Sequence, residues 1–132
     1  MIFVDSGPLL ARYLRTDAFH KRALEVWPSL TASRLFTSNH VLAESLTLIG
    51  RRASYTIAAG CGEQLYGSER LEIIYSDRED EIAALRLLRK FADQKVSFTD
   101  CVSFALMRKF GIETAFTFDR HFLQAGFRVL GS

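Results

Sequence analysis

Two short apolar runs, each ending on a carboxylate, constrain this chain more than any other feature. Ile2-Phe3-Val4 leads straight into Asp5, and Thr114-Ala115-Phe116-Thr117-Phe118 leads into Asp119. Runs that are apolar at successive positions suit strands covered on both faces, as in a parallel sheet. Leu35-Phe36-Thr37, Leu71 to Tyr75 and Phe127 to Leu130 read as three further strands.

The segments between these strands carry helical spacing. Ser6-Gly7-Pro8 opens a first helix with Ser6 as its cap, and Leu9, Leu10, Tyr13 and Leu14 form its apolar face. Asp17 caps a second, in which Phe19, Ala23, Val26 and Trp27 recur. Ser38 and Asn39 both fit the cap of a third, which carries Val41, Leu42, Leu46, Leu48 and Ile49 and stops at Gly50. Ala53 to Tyr66 forms a helix interrupted by Gly60 and Gly62. Ser76-x-x-Glu79 predicts a capping box ahead of Ile82, Leu85, Leu88 and Ala92, and Ser97-x-x-Asp100 repeats the device. The helix after Ser97 is apolar almost all round, which places it at the centre of the fold, and Gly111 ends it. Asp119 to Leu123 is a short helical turn. Strands alternating with helices predict an α/β fold: a three-layer α/β/α sandwich on a mostly parallel sheet of four to five strands, with residues 1–132 as one domain.

Ligands of open parallel sheets bind beyond the carboxyl ends of the strands. Asp5 and Asp119 follow strands directly, and Asp100 sits in the first turn of a helix that starts on the same edge. Glu44 lies three residues after Val41 and four before Leu48, so it points along an apolar face, where an ionised carboxylate is costly unless compensated. Each acid has a plainer reading, as helix cap, capping-box member or snorkelling flank. Together on one edge they would repel one another and raise each other's pKa values. A hard divalent cation removes that cost, and oxygen-only ligation favours Mg²⁺ or Mn²⁺ over zinc. The chemistry this predicts is hydrolysis of a phosphodiester by cation-activated water.

Bulk properties narrow the class without deciding it. The net charge of +2 is near neutral, but 13 of the 17 basic residues are Arg, a residue suited to phosphate and to ordinary surface ion pairs alike. Cys61 and Cys101 are too few for a disulfide framework and have no zinc-ligand spacing, so both read as ordinary thiols. No apolar run approaches the ~20 residues of a membrane span, and no basic n-region or cleavage site suggests a signal peptide, so the expected location is cytoplasmic.

The segments I-F-V-D-S, N-H-V-L-A-E-S-L-T-L-I around Glu44, F-T-D-C-V-S-F-A-L-M around Asp100 and A-F-T-F-D-R-H-F around Asp119, taken in this order, resemble the PIN domain family. The similarity is closest to the VapC-type toxins of bacterial and archaeal toxin–antitoxin pairs. The resemblance implies a Mg²⁺/Mn²⁺-dependent endoribonuclease with Asp5, Glu44, Asp100 and Asp119 as its acidic quartet. It also implies supporting roles for Ser6, Asn39, Thr99 and Thr117. Ser103 stands where some relatives carry a further acid one turn beyond the third carboxylate, which makes one well-held ion the expectation. The same resemblance implies an RNA substrate, a cognate antitoxin and a homodimer, with Arg12, Arg15, Arg51 and Arg52 as candidates to line a groove. His20, His40 and His121 read as surface or structural residues. The alternatives are a non-toxin PIN nuclease of RNA processing and a non-catalytic α/β binding or signalling module. A receiver or an aspartyl phosphatase fits poorly, because Asp5 has no second acid beside it.

Overall fold

A computed structural model describes residues 1–131. The strands are β1 (Ile2–Val4), β2 (Leu35–Ser38), β3 (Leu71–Ile74), β4 (Thr114–Phe116) and β5 (Arg128–Leu130). The helices are α1 (Ser6–Tyr13), α2 (His20–Val26), α3 (Asn39–Arg52), α4 (Tyr55–Gly67), α5 (Arg78–Lys90), α6 (Phe98–Phe110) and α7 (His121–Gln124). All five strands are parallel, in the order β3-β2-β1-β4-β5. Right-handed crossovers then place α1 to α4 on one face and α5 to α7 on the other, the sandwich predicted from the alternation. The chain winds outward in both directions from β1, so the gap between the ends of β1 and β4 is the topological switch point.

Burial explains why these short strands hold. Phe3, Val4, Ala115 and Phe116 are fully buried in the sheet centre, and α6 lies against them with Cys101, Val102, Phe104, Leu106 and Met107 fully enclosed. Phe104 meets Phe91, Phe122 and Phe127 at ring-centroid distances of 6.0, 4.9 and 5.8 Å. A second, smaller cluster of Leu10, Leu14, Ile49, Ala58 and Cys61 joins α1, α3 and α4. Both cysteines are buried free thiols, and burial pushes the Cys101 thiol up to about 11.

Several local expectations shift. Asp5, not Ser6, occupies the cap position of α1, and its side chain makes no capping bond. Asp17 lies ahead of α2 in an Asx turn, its Oδ1 accepting from Phe19 N at 2.8 Å. Helix α3 runs through Gly50 to Arg52; the glycine is buried where a Cβ would meet the Tyr55 ring at 2.5 Å, so close packing rather than termination explains it. Helix α4 is continuous across Gly60 and Gly62. The box that starts α5 is Asp77 with Asp80, one residue later than the Ser76/Glu79 reading. Strand β4 ends at Phe116, two residues short of the expected end, and β3 and β5 are each one residue shorter.

Because Phe104 is fully buried among three rings, Phe104→Ala should cost about 3–5 kcal/mol of unfolding free energy by chemical denaturation. A loss below about 1 kcal/mol would mean α6 is not the centre of the core.

Candidate active site

Beyond the ends of β1 and β4 opens a cavity of about 330 Å³, and Asp5, Glu44, Asp100 and Asp119 all line it. Each acid arrives by a different route. Asp5 follows β1 directly, its backbone N–H donating to Phe116 O at 3.0 Å, and it is only 4% exposed. Asp100 is carried by the first turn of α6, capped by Ser97 Oγ, which accepts from Asp100 N at 3.0 Å; it is 8% exposed. Glu44 flanks the buried stripe of α3 formed by Val41, Leu42, Ser45 and Ile49 instead of lying within it, so it is half-buried and reaches the cavity from the side. Asp119 sits in the link to α7, where its Oδ1 accepts from His121 N at 2.8 Å.

Thr117 joins two of these acids. Its buried hydroxyl donates to Asp5 Oδ2 at 2.8 Å and accepts from Asp119 N at 3.0 Å. A second hydroxyl, Thr37 Oγ1, donates to Val4 O at 2.8 Å and ties β2 to the residue before Asp5. Chain approach is close here: Gly131, at φ 102°, passes where a Cβ would lie 2.9 Å from Thr117 O, a backbone conformation open chiefly to glycine.

The electrostatics are those of a crowded anionic site. Burial pushes the Asp5 carboxyl up to about 6, against the opposing Thr117 and Ser6 hydrogen bonds, and Glu44 and Asp119 add to the rise. Burial, with the charges of Asp5 and Asp119, holds Asp100 well above the usual carboxylate range. Asp5 Oδ1 is buried with no hydrogen-bond partner. One ligand atom each from Asp100, Asp119 and His121 lie within 4.8 Å of one another. An unpartnered buried carboxylate oxygen beside two further acids and an imidazole fits a divalent cation.

The supporting residues divide. Ser6 and Thr117 are at the site. Thr99 instead lines an adjoining groove of about 410 Å³ with His40, Glu44, Thr47 and Arg51. Asn39 lies outside both cavities, its Oδ1 accepting from Ser76 N at 3.2 Å. Ser103 is fully buried and donates to Thr99 O at 3.1 Å, so the turn after Asp100 adds no charge. Among the arginines, Arg51 borders the adjoining groove and Arg52 pairs with Asp17 at 2.7 Å. Arg12 stacks over Trp27 at 4.9 Å, away from the acids. Sequence reasoning left out His121, whose Nδ1 lies 2.8 Å from Asp119 Oδ1; the signal was its place two residues after Asp119. It also left out Phe19, read as part of a helix face but found lining the cavity.

The chain belongs to the PIN domain family, whose pattern matches residues 2–128. It is 39% identical over 128 residues to the 23S rRNA-specific endonuclease VapC20 of Mycobacterium tuberculosis, covering 96% of this chain and 95% of that protein. The crystal structure of M. tuberculosis VapC20, described as a Sarcin-Ricin loop cleaving toxin, superposes with a TM-score of 0.89 at 35% identity, covering 96% of each chain. FitAcB of Neisseria gonorrhoeae shares the fold at 17% identity and TM-score 0.68, covering 98% of this chain and 96% of its own. FitAB bound to an IR36 DNA fragment does so at 15% and 0.67, covering 98% and 94%.

The raised carboxyls carry a pH signature in the metal-free protein. An acid whose folded pKa exceeds its ordinary value of 3.8 binds more protons folded than unfolded, so stability falls as pH rises through that window. In EDTA, the melting temperature should drop from pH 4 through about 6 for Asp5 and continue to drop above that for Asp100. Asp100→Asn should flatten the curve and stabilise the metal-free protein at pH 8. A flat wild-type profile would contradict the crowding.

Proposed function

We propose that this chain is an endoribonuclease of the toxin type that hydrolyses RNA phosphodiesters with the help of Mg²⁺ or Mn²⁺. The observation that carries the reading is the convergence of four carboxylates on one cavity at the switch point, one of them with a buried, unpartnered oxygen. Its 39% identity to a 23S rRNA-specific endonuclease across nearly the whole chain supports ribosomal RNA as the substrate class.

Asp5, Asp100 and Asp119 would hold the cation, with Glu44 at the rim and His121 within reach of the same position. A bound divalent cation supplies activation of a water nucleophile and neutralisation of charge on the cleaved phosphate. The chain's own residues set the geometry. Thr117 engages Asp5 Oδ2 and leaves Oδ1 free, while the His121 backbone N–H orients Asp119. The adjoining groove, which shares Glu44 with the site, offers the RNA backbone the Arg51 guanidinium and the hydroxyls of Thr99 and Thr47.

The toxin reading brings a cognate antitoxin, a homodimer and a cytoplasmic location into the proposal. Tyr55 and Tyr66, both exposed along one edge of α4, support contact of that edge with a protein. Among the described residues, no helix is long and apolar enough to cross a membrane.

The purified protein should cleave ribosomal RNA with Mg²⁺ or Mn²⁺, lose that activity in EDTA, and regain it when the cation is restored. Asp5→Asn should fold normally and cleave on the order of 100-fold more slowly or worse. Expression of the wild type, but not of Asp5→Asn, should arrest growth. Equal cleavage by the two proteins would discard the assignment.

A further inference from the structure

One wall of the acid-lined cavity is aromatic, and the hydrolytic chemistry does not use it. Phe118 is seated against Gly7, where a Cβ would stand 3.3 Å from the ring, and edge-on to Phe116 at 5.8 Å. Phe19 lies flat on Phe118, with centroids 4.5 Å apart and planes 13° from parallel. Both rings line the cavity that Asp5, Asp100 and Asp119 enclose.

Phe19 is nonetheless 49% exposed, whereas Phe116 is fully buried. Its position is fixed from behind. Asp17 Oδ1 accepts from Phe19 N at 2.8 Å while Asp17 Oδ2 is paired with Arg52 Nη1 at 2.7 Å. The ion pair neutralises the one further acid that lines the cavity and spends it on holding the Phe19 backbone. The result is a ring supported on one side by protein, anchored at its backbone and half open to solvent beside the acids. Every nucleobase has a π-face that stacks on such a ring, and unstacked bases of loops and bulges are read this way.

We propose that Phe19 is a stacking platform for a nucleobase directly flanking the phosphodiester to be cut. The protein therefore selects RNA whose base at that position is splayed out of a helix. The inference rests on the ribonuclease reading and adds to it a residue that discriminates substrates. Phe118 backs the platform, and Gly7 leaves room for Phe118.

The test is a cycle between protein and RNA. An RNA stem-loop cleaved by the wild type is prepared intact and with an abasic site at each nucleotide flanking the cut in turn. Values of kcat and KM are measured for wild type, Phe19→Leu, which keeps an apolar cover, and Phe19→Trp, which keeps a stacking face. On intact RNA, Phe19→Leu should raise KM roughly tenfold or more, with kcat changed less, and Phe19→Trp should stay near wild type. An abasic site at one flank should cost the wild type a similar factor, and the two losses should not multiply. Losses that multiply, or wild-type cleavage indifferent to abasic sites at both flanks, would overturn the platform while leaving the ribonuclease intact. If thermal unfolding shows that Phe19→Leu does not fold, the abasic series on wild type and Phe19→Trp still decides. No cleavage of any RNA by the wild type would remove the ribonuclease reading and the platform with it.

Discussion

Like-charge repulsion at the switch point is the interaction to which the rest of this structure answers. Three acids among the described residues are buried: Asp5, Asp80 and Asp100. Asp80 shows how the fold treats a buried carboxylate of purely structural use. It closes a capping box with Asp77 and takes Lys109 Nζ at 3.0 Å, so its charge is balanced. Asp5 and Asp100 receive no such cation. Instead they face each other, Asp119 and Glu44, and both carboxyls are raised. A fold that balances one buried acid, yet leaves a group of them unbalanced in a cavity, carries the electrostatic mark of a functional site.

Holding that arrangement is the work of the apolar core and a few hydroxyls. Parallel pairing of β1 with β2 and β4 puts Asp5 and Asp119 on one edge, and the buried helix α6 brings Asp100 to them. Thr117 and Thr37 place their bonds on strand ends, where a shift of either backbone would separate the acids. Asp5 stands at the cap position of α1 without making the capping bond, so one of its oxygens is left for another partner. The local bond Asp5 does receive comes from the adjacent Ser6 backbone, in place of the usual cap bond further into the first turn. Asp17 does the reverse: Arg52 takes its charge, and its geometry goes to fixing Phe19.

The four acids were legible because each follows a feature readable in one dimension. Two end apolar runs, one sits three residues after a serine cap, and one follows Val41 at helical spacing. Thr117 came from resemblance of segment, and packing keeps it at the site through its bonds with Asp5 and Asp119. Asn39 and Thr99 were carried by resemblance of segment, and tertiary packing directs them elsewhere, to Ser76 and to the neighbouring groove. Phe19 escaped because its spacing with Ala23 and Val26 matches a helix face, whereas α2 begins one residue later. Gly50 misled because a glycine after an apolar stripe usually ends a helix, and only the Tyr55 ring explains why this one does not.

By itself the sequence determined the alternation of strands and helices, hence the parallel sheet, the edge where its carboxylates gather and the family to which the chain belongs. The first three follow from periodicity and from the rule that parallel strands present their carboxyl ends together; the family follows from the resemblance of four segments taken in order. Tertiary structure alone decided which groups share a cavity: that His121 and Phe19 enter it, that Asn39 does not, and that Asp17 arrives already neutralised. Such outcomes depend on angles between packed helices and on the approach of segments far apart in the chain, for which spacing along the chain carries no signal.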